Sequence, residues 1–140
     1  MKKYGLILIV IWALAVILTG CKDQAPAPVS DFASQMTFLD AGKWPQNRYT
    51  DMVPKPEFGV VEQAWVNLEQ KSCAVVLAEI TQEDLEEYQQ KLQDDGFVRI
   101  AGAEESMEGN ASAGLLYTKG ETSVSIAFYE GRCTLGIFLQ

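Results

Sequence analysis

Thr81-Gln82-Glu83-Asp84-Leu85-Glu86-Glu87-Tyr88-Gln89-Gln90-Lys91-Leu92-Gln93-Asp94-Asp95-Gly96-Phe97 is the stretch on which the fold turns. Thr81 with an acidic residue three positions on, Asp84, makes a capping-box start. Leu85, Tyr88 and Leu92 then recur at helical spacing and form one narrow apolar stripe. Gly96 stands where a left-handed C-terminal residue is wanted, with Phe97 placed to fold back on the last turn. Glu83, Asp84, Glu86 and Glu87 crowd the first turns, where the helix dipole favours negative charge, so they read as stabilising residues and not as a metal or substrate site. A helix with one apolar stripe needs one apolar surface to lie on.

The flanking sequence supplies that surface as strands. In Ser123 to Glu130, Val124, Ile126 and Phe128 alternate with Ser123, Ser125 and Ala127. In Cys133 to Leu139, Cys133, Leu135, Ile137 and Leu139 alternate with Thr134, Gly136 and Phe138. Tight turns around Gly120 and Gly131 join these to Leu115–Lys119, which predicts an antiparallel meander, and Phe97–Ala101 adds a further strand. Gly102 to Ser112 is polar, small and glycine-bearing and reads as a mobile loop. Its Glu104, Glu105 and Glu108 do not match a calcium loop, and Asn110-Ala111-Ser112 is a glycosylation triplet only in a host with that machinery.

Before the helix, Val60 to Leu68 alternates so that Val60, Ala64, Val66 and Leu68 share a side with Glu62, opposite Val61 and Trp65. Cys73 to Ile80 is apolar at nearly every position, as in a strand covered on both faces. Glu69 to Ser72 between them reads as a hairpin loop. Pro45 suits the first position of a helix, and Tyr49, Met52 and Val53 share one face before Pro54 stops it, so a two-turn helix is expected from Pro45 to Val53. Phe32, Met36 and Leu39 show weaker helical spacing. The predicted architecture is α+β in two layers: an antiparallel sheet of five or six strands with the Thr81–Asp95 helix on one face, occupying residues 42–140.

The N-terminal third has a different character. Lys2 and Lys3 precede an apolar run from Leu6 to Leu18, and two small residues then precede Cys21, the order of a secretory signal. Leu18-Thr19-Gly20-Cys21 resembles the lipobox of bacterial lipoproteins. The resemblance implies a diacylglyceryl group on Cys21, cleavage after Gly20, and residence on the outer side of the cell membrane, since Lys2 and Lys3 hold the start of the chain in the cytoplasm. An uncleaved anchor and an ordinary secreted protein are the other readings of residues 1–20. The apolar run is short of the ~20 residues a span usually needs, and the second reading leaves Cys21 at the boundary by accident. Residues 21–41, with Pro26 and Pro28, read as a semi-rigid tether.

The motif Trp44-Pro45, short helix, Pro54-Lys55-Pro56 resembles a family of uncharacterised small lipoproteins of Gram-positive bacteria. That resemblance implies a tethered α+β domain and carries no activity. Trp44 and Tyr49 are candidates for an aromatic ligand platform, against the alternative of ordinary core residues.

The chemistry is bounded by what is missing. The chain has no histidine, which excludes a serine-histidine triad and the commonest metal ligand. No phosphate-binding glycine loop or zinc spacing occurs, so no cofactor and no metal is expected. The formal net charge of -8 becomes more negative without Lys2 and Lys3 and disfavours nucleic acid. Cys73 and Cys133 form an even pair for an oxidising compartment, as a disulfide or as two buried thiols. The expected function is a non-catalytic binding domain held to the membrane by lipid, meeting an envelope or extracellular partner. The alternatives are an assembly accessory offering an edge strand, and a small hydrolase using paired carboxylates.

Overall fold

The computed structural model describes the backbone of residues 35–107 and 110–140 and the side chains of 35–102 and 113–140. The signal segment, Cys21, the Phe32 to Ser34 part of the tether and the side chains of Glu104, Glu105, Glu108 and Asn110 lie outside the described residues. In chain order the elements are β1 (Met36–Leu39), β2 (Val60–Asn67), β3 (Ser72–Ala78), α1 (Gln82–Asp94), β4 (Val98–Met107), β5 (Asn110–Lys119), β6 (Thr122–Tyr129) and β7 (Arg132–Leu139). The strands form one antiparallel sheet in the order β1-β2-β3-β7-β6-β5-β4. The class is α+β, with seven strands where five or six were expected. Among the described residues no helix is long and apolar enough to cross a membrane.

α1 forms as its ends dictate. The Asp84 N–H donates to Thr81 Oγ1 at 3.1 Å and the Thr81 N–H to Asp84 Oδ2 at 2.8 Å, so both partners of the box are satisfied. At the other end Gly96 has φ +94°, its N–H reaches the Gln93 carbonyl and the Phe97 N–H reaches the Leu92 carbonyl, both at 2.9 Å. This paired arrangement returns the chain toward the sheet. Leu85, Tyr88, Leu92 and Phe97 are all buried, in one cluster with Val75, Ile126, Leu135 and Ile137 of the strands.

The rest of that face is covered by the segment between β1 and β2. Tyr49, Thr50, Val53 and Pro56 are buried there, and the segment is tied to α1. Tyr88 Oη donates to the Pro54 carbonyl at 3.0 Å, the Phe58 ring meets the Tyr88 ring edge-on, and Lys91 pairs with Glu57 at 2.9 Å.

Five expectations are corrected. The Pro45 to Val53 helix is only one 3-10 turn, Thr50–Met52. Asn47 Oδ1 captures the N–H groups of Tyr49 and Thr50, and the Thr50 hydroxyl donates to the Pro45 carbonyl, so side chains take the bonds a helix would have used. Met52 is exposed, although Tyr49 and Val53 are buried. In β2 the register shifts between Val61 and Gln63. This bulge puts Val61 with Ala64 and Val66 in the core and leaves Val60 and Leu68 outside. In β3 alternate residues are only half-buried, so one face is covered and not both. Within the stretch read as a loop, the backbone of residues 102–107 and 110–112 is strand and lengthens the β4–β5 hairpin. Finally, Met36 to Leu39 is an edge strand inside the stretch read as tether.

Cys73 and Cys133 are two free, buried thiols and not a bridge. On the β3–β7 ladder Cys73 lies opposite Ile137 and Cys133 opposite Leu77. Four residues of strand therefore separate them, ~13 Å, about twice the reach of a disulfide. Burial raises both thiols, Cys133 to about 12 from its ordinary 9.0. The folded state thus holds the Cys133 proton more tightly than the unfolded chain does. Its contribution to stability is complete below pH 9 and is lost as pH rises through 9 toward 12. In thermal melts the midpoint is expected to be level up to about pH 9 and to fall above it. At about pH 8, iodoacetamide should modify the Cys73 and Cys133 peptides only after denaturant is added.

Candidate functional site

One recess opens where β1 ends. Gly42, at φ +79°, turns the chain and hydrogen-bonds to the Val61 carbonyl at 2.8 Å, which carries Lys43 and Trp44 back over the edge of β2. Asn47 then pins the segment from both sides. Its carboxamide oxygen accepts from Tyr49 and Thr50 at 2.9 and 3.1 Å, and its Nδ2 lies 3.6 Å from Cys73 Sγ on β3. This open recess has a volume of about 710 Å³, within the range of small-molecule sites.

Trp44, Leu39, Pro45 and Val66 give the recess apolar walls, and Lys43, Lys55, Asp40 and Gln46 supply its polar groups. Trp44 is half-buried and packs on the core. A smaller hollow of about 280 Å³ shares Gly42, Trp44 and Lys55 and continues toward Phe58 and Gly59. Lys43 and Lys55 thus line the same recess as one indole in a strongly acidic chain, and neither forms an ion pair among the described residues, although the Lys55 charge helps hold the Glu57 carboxyl down. Such a site suits an anionic group attached to a flat or apolar body: the ammoniums meet the charge and the indole meets the body.

Tyr49 is not part of any aromatic surface. It is 1% exposed, under the Arg48 guanidinium at 4.8 Å from its ring centre, with Arg48 Nη2 donating to its hydroxyl at 2.7 Å. Trp44 alone of the expected pair reaches a recess. Lys43 and Gln46, which flank Trp44-Pro45, and Lys55, the centre of Pro54-Lys55-Pro56, were not singled out as site residues from the sequence. The structure brings residues of both ends of the motif, Trp44 and Pro45 with Lys55, to one recess.

A second recess of about 660 Å³ lies where the β2–β3 and β5–β6 turns meet, lined by Arg48, Lys71, Lys119, Met52 and Thr122. Lys119 is engaged there by Asp95 at 3.1 Å. Among the described residues no group of three or more histidine, cysteine, aspartate or glutamate side chains gathers to hold a metal ion. Comparison of the chain with protein-family models, with curated proteins and with solved structures finds no match in any of the three.

Proposed function

We propose that this protein is an extracytoplasmic binding domain, anchored by lipid on Cys21, that takes an anionic ligand with a flat apolar part into the recess beside Trp44. One observation carries the binding reading. The two halves of the Trp-Pro … Pro-Lys-Pro motif, separated by eight residues in sequence, converge on one recess with two cations outside any ion pair among the described residues. The anchor rests on the sequence Leu18-Thr19-Gly20-Cys21, because two acyl chains on one thioether give stable membrane residence where a single chain does not.

Each half has its own test. Cys21→Ser should release the protein from membranes or leave it unprocessed, and mass spectrometry of the native N-terminus should find an acylated Cys21. An unmodified thiol at that position ends the anchor reading. For the recess, ligand-observed NMR against a panel of aromatic and alicyclic carboxylates and phosphates should find binders that compete with one another. Their affinity should drop at least about tenfold in Trp44→Ala and in Lys43→Glu with Lys55→Glu. A panel with no binder at millimolar concentration, or binders indifferent to all three changes, removes the ligand reading.

The assembly-accessory reading also has an observation in its favour. β4 is a ten-residue edge strand with Val98 and Ile100 exposed, a form suited to strand addition. Crosslinking on intact cells that recovers one stoichiometric membrane protein on β4 would favour it over a soluble ligand.

A further inference from the structure

α1 and the Trp44 segment cover one face of the sheet, and among the described residues no helix lies on the other. Phe38, Trp65, Ala74, Gly136, Ser125 and Leu116 are direct neighbours strand by strand and form a row across that open face. Parallel rows run on either side, from Met36 to Thr118 and from Gln63 to Gly114. None of the three rows contains a charged residue, in a chain where 21% of residues are charged. Among the described side chains, the Arg132–Glu62 ion pair, at 3.0 Å, stands at one end of the face. A charge-depleted centre with aromatic residues is what separates an interface from ordinary surface.

The face also has relief. Phe38 and Trp65 stand together on β1 and β2, with ring centres 6.3 Å apart and Phe38 59% exposed. On the far side of the central strands, Ser123, Ser125 and Ala127 leave β6 low, and Gly114 lowers one end of β5, while Leu116 stands at its middle. Phe138 lies over Gly136 in between, where an added Cβ would come within 2.9 Å of its ring and 2.5 Å of Ser125 Oγ. Ridge and furrow therefore fall on opposite sides of the β3–β7 pair. A two-fold axis through that pair sets the ridge of one copy into the furrow of the other, as an isologous contact requires.

We propose that this face joins two copies of the chain, packed sheet against sheet about a two-fold axis. Six strands at ~4.8 Å and three rows cover on the order of 600 Å² per copy, which reaches the ~1,200 Å² total at which stable interfaces begin. The arrangement also handles the net charge. The acidic first turns of α1 lie outside both sheets, roughly 30 Å from their counterparts and well beyond the ~8 Å screening length at physiological salt.

The test uses the full-length chain, in membranes and in detergent. With p-benzoylphenylalanine in place of Trp65, irradiation should yield a species of twice the mass whose joined peptide contains Ser123 to Ala127 or Gly114. Ser125→Arg, a change at a half-exposed position, should weaken self-association at least about 100-fold, because the two-fold axis buries the new charge twice. Ala127→Arg, at an exposed position, serves the same purpose should the first variant not fold, and Gln90→Arg on the outer side of α1 should change nothing. A chain monomeric up to millimolar concentration overturns the proposal. So does a crosslink that maps off this face or only to another protein, or a dimer indifferent to both face variants.

Discussion

Leu92→Ala is expected to lower the unfolding free energy by about 3 to 5 kcal/mol, at the upper end for buried leucines. Leu92 is fully buried, and its carbonyl also accepts the Phe97 N–H that ends α1. Truncation therefore opens a cavity at the centre of the helix–sheet contact and removes an apolar partner of Phe97. For a domain of about 100 residues this corresponds to a drop in Tm on the order of 15–20 °C. Urea denaturation followed by circular dichroism measures it, and the slope should stay unchanged as the midpoint falls. Leu92→Met, which conserves volume, should lose less than about 1.5 kcal/mol. A loss below about 1 kcal/mol for the alanine variant would mean that α1 is not seated as described.

Asn47→Ala should cost about 2 to 3 kcal/mol and should act locally first. The substitution leaves the Tyr49 and Thr50 N–H groups without their acceptor in a part-buried setting and removes the contact with Cys73 Sγ. Hydrogen exchange at those two amides should accelerate by at least about tenfold, and the amides of β6 and β7 should follow only the smaller global change. Because Asn47 holds the segment that carries Trp44, any ligand of the recess should bind more weakly too. Asn47→Asp keeps the acceptor and should restore most of the protection. Equal acceleration across the whole sheet would show that the segment has no separate stability.

How legible the fold is in the sequence depends on where its signals lie. The helix is readable because both ends carry local chemistry: Thr81 with Asp84 at one, Gly96 with Phe97 at the other. The β5–β6–β7 meander is readable from strict alternation between short glycine turns. β1 is not, because in four residues a three- and four-residue spacing at Phe32, Met36 and Leu39 imitates a helix, and only pairing with β2 decides otherwise. The β2 bulge is invisible for a related reason. Glu62 sits in an alternating pattern, and the shift that exchanges Val60 for Val61 is set by the partner strand. The small polar residues of Gly102 to Ser112 look like loop because they carry no apolar alternation, and only the pairing of β4 with β5 decides otherwise.

The candidate site is half legible. The Trp-Pro and Pro-Lys-Pro elements stand out, yet their meeting depends on Asn47 and Thr50, whose side-chain bonds replace the expected helix. Tyr49 is a platform candidate only as an aromatic near Trp44; its spacing with Val53 reads as core, and the structure buries both without the expected helix.

The position of β7 has a bearing on how the molecule is made. The last strand in chain order is hydrogen-bonded between β3 and β6, and its partners on β3 lie roughly 60 residues earlier. Two local meanders can form as the polypeptide emerges, but no strand pairing joins them until β7 is available. Assembly is therefore a late, slow, long-range event, and a chain threaded through a narrow pore can complete its sheet only once the final strand has passed.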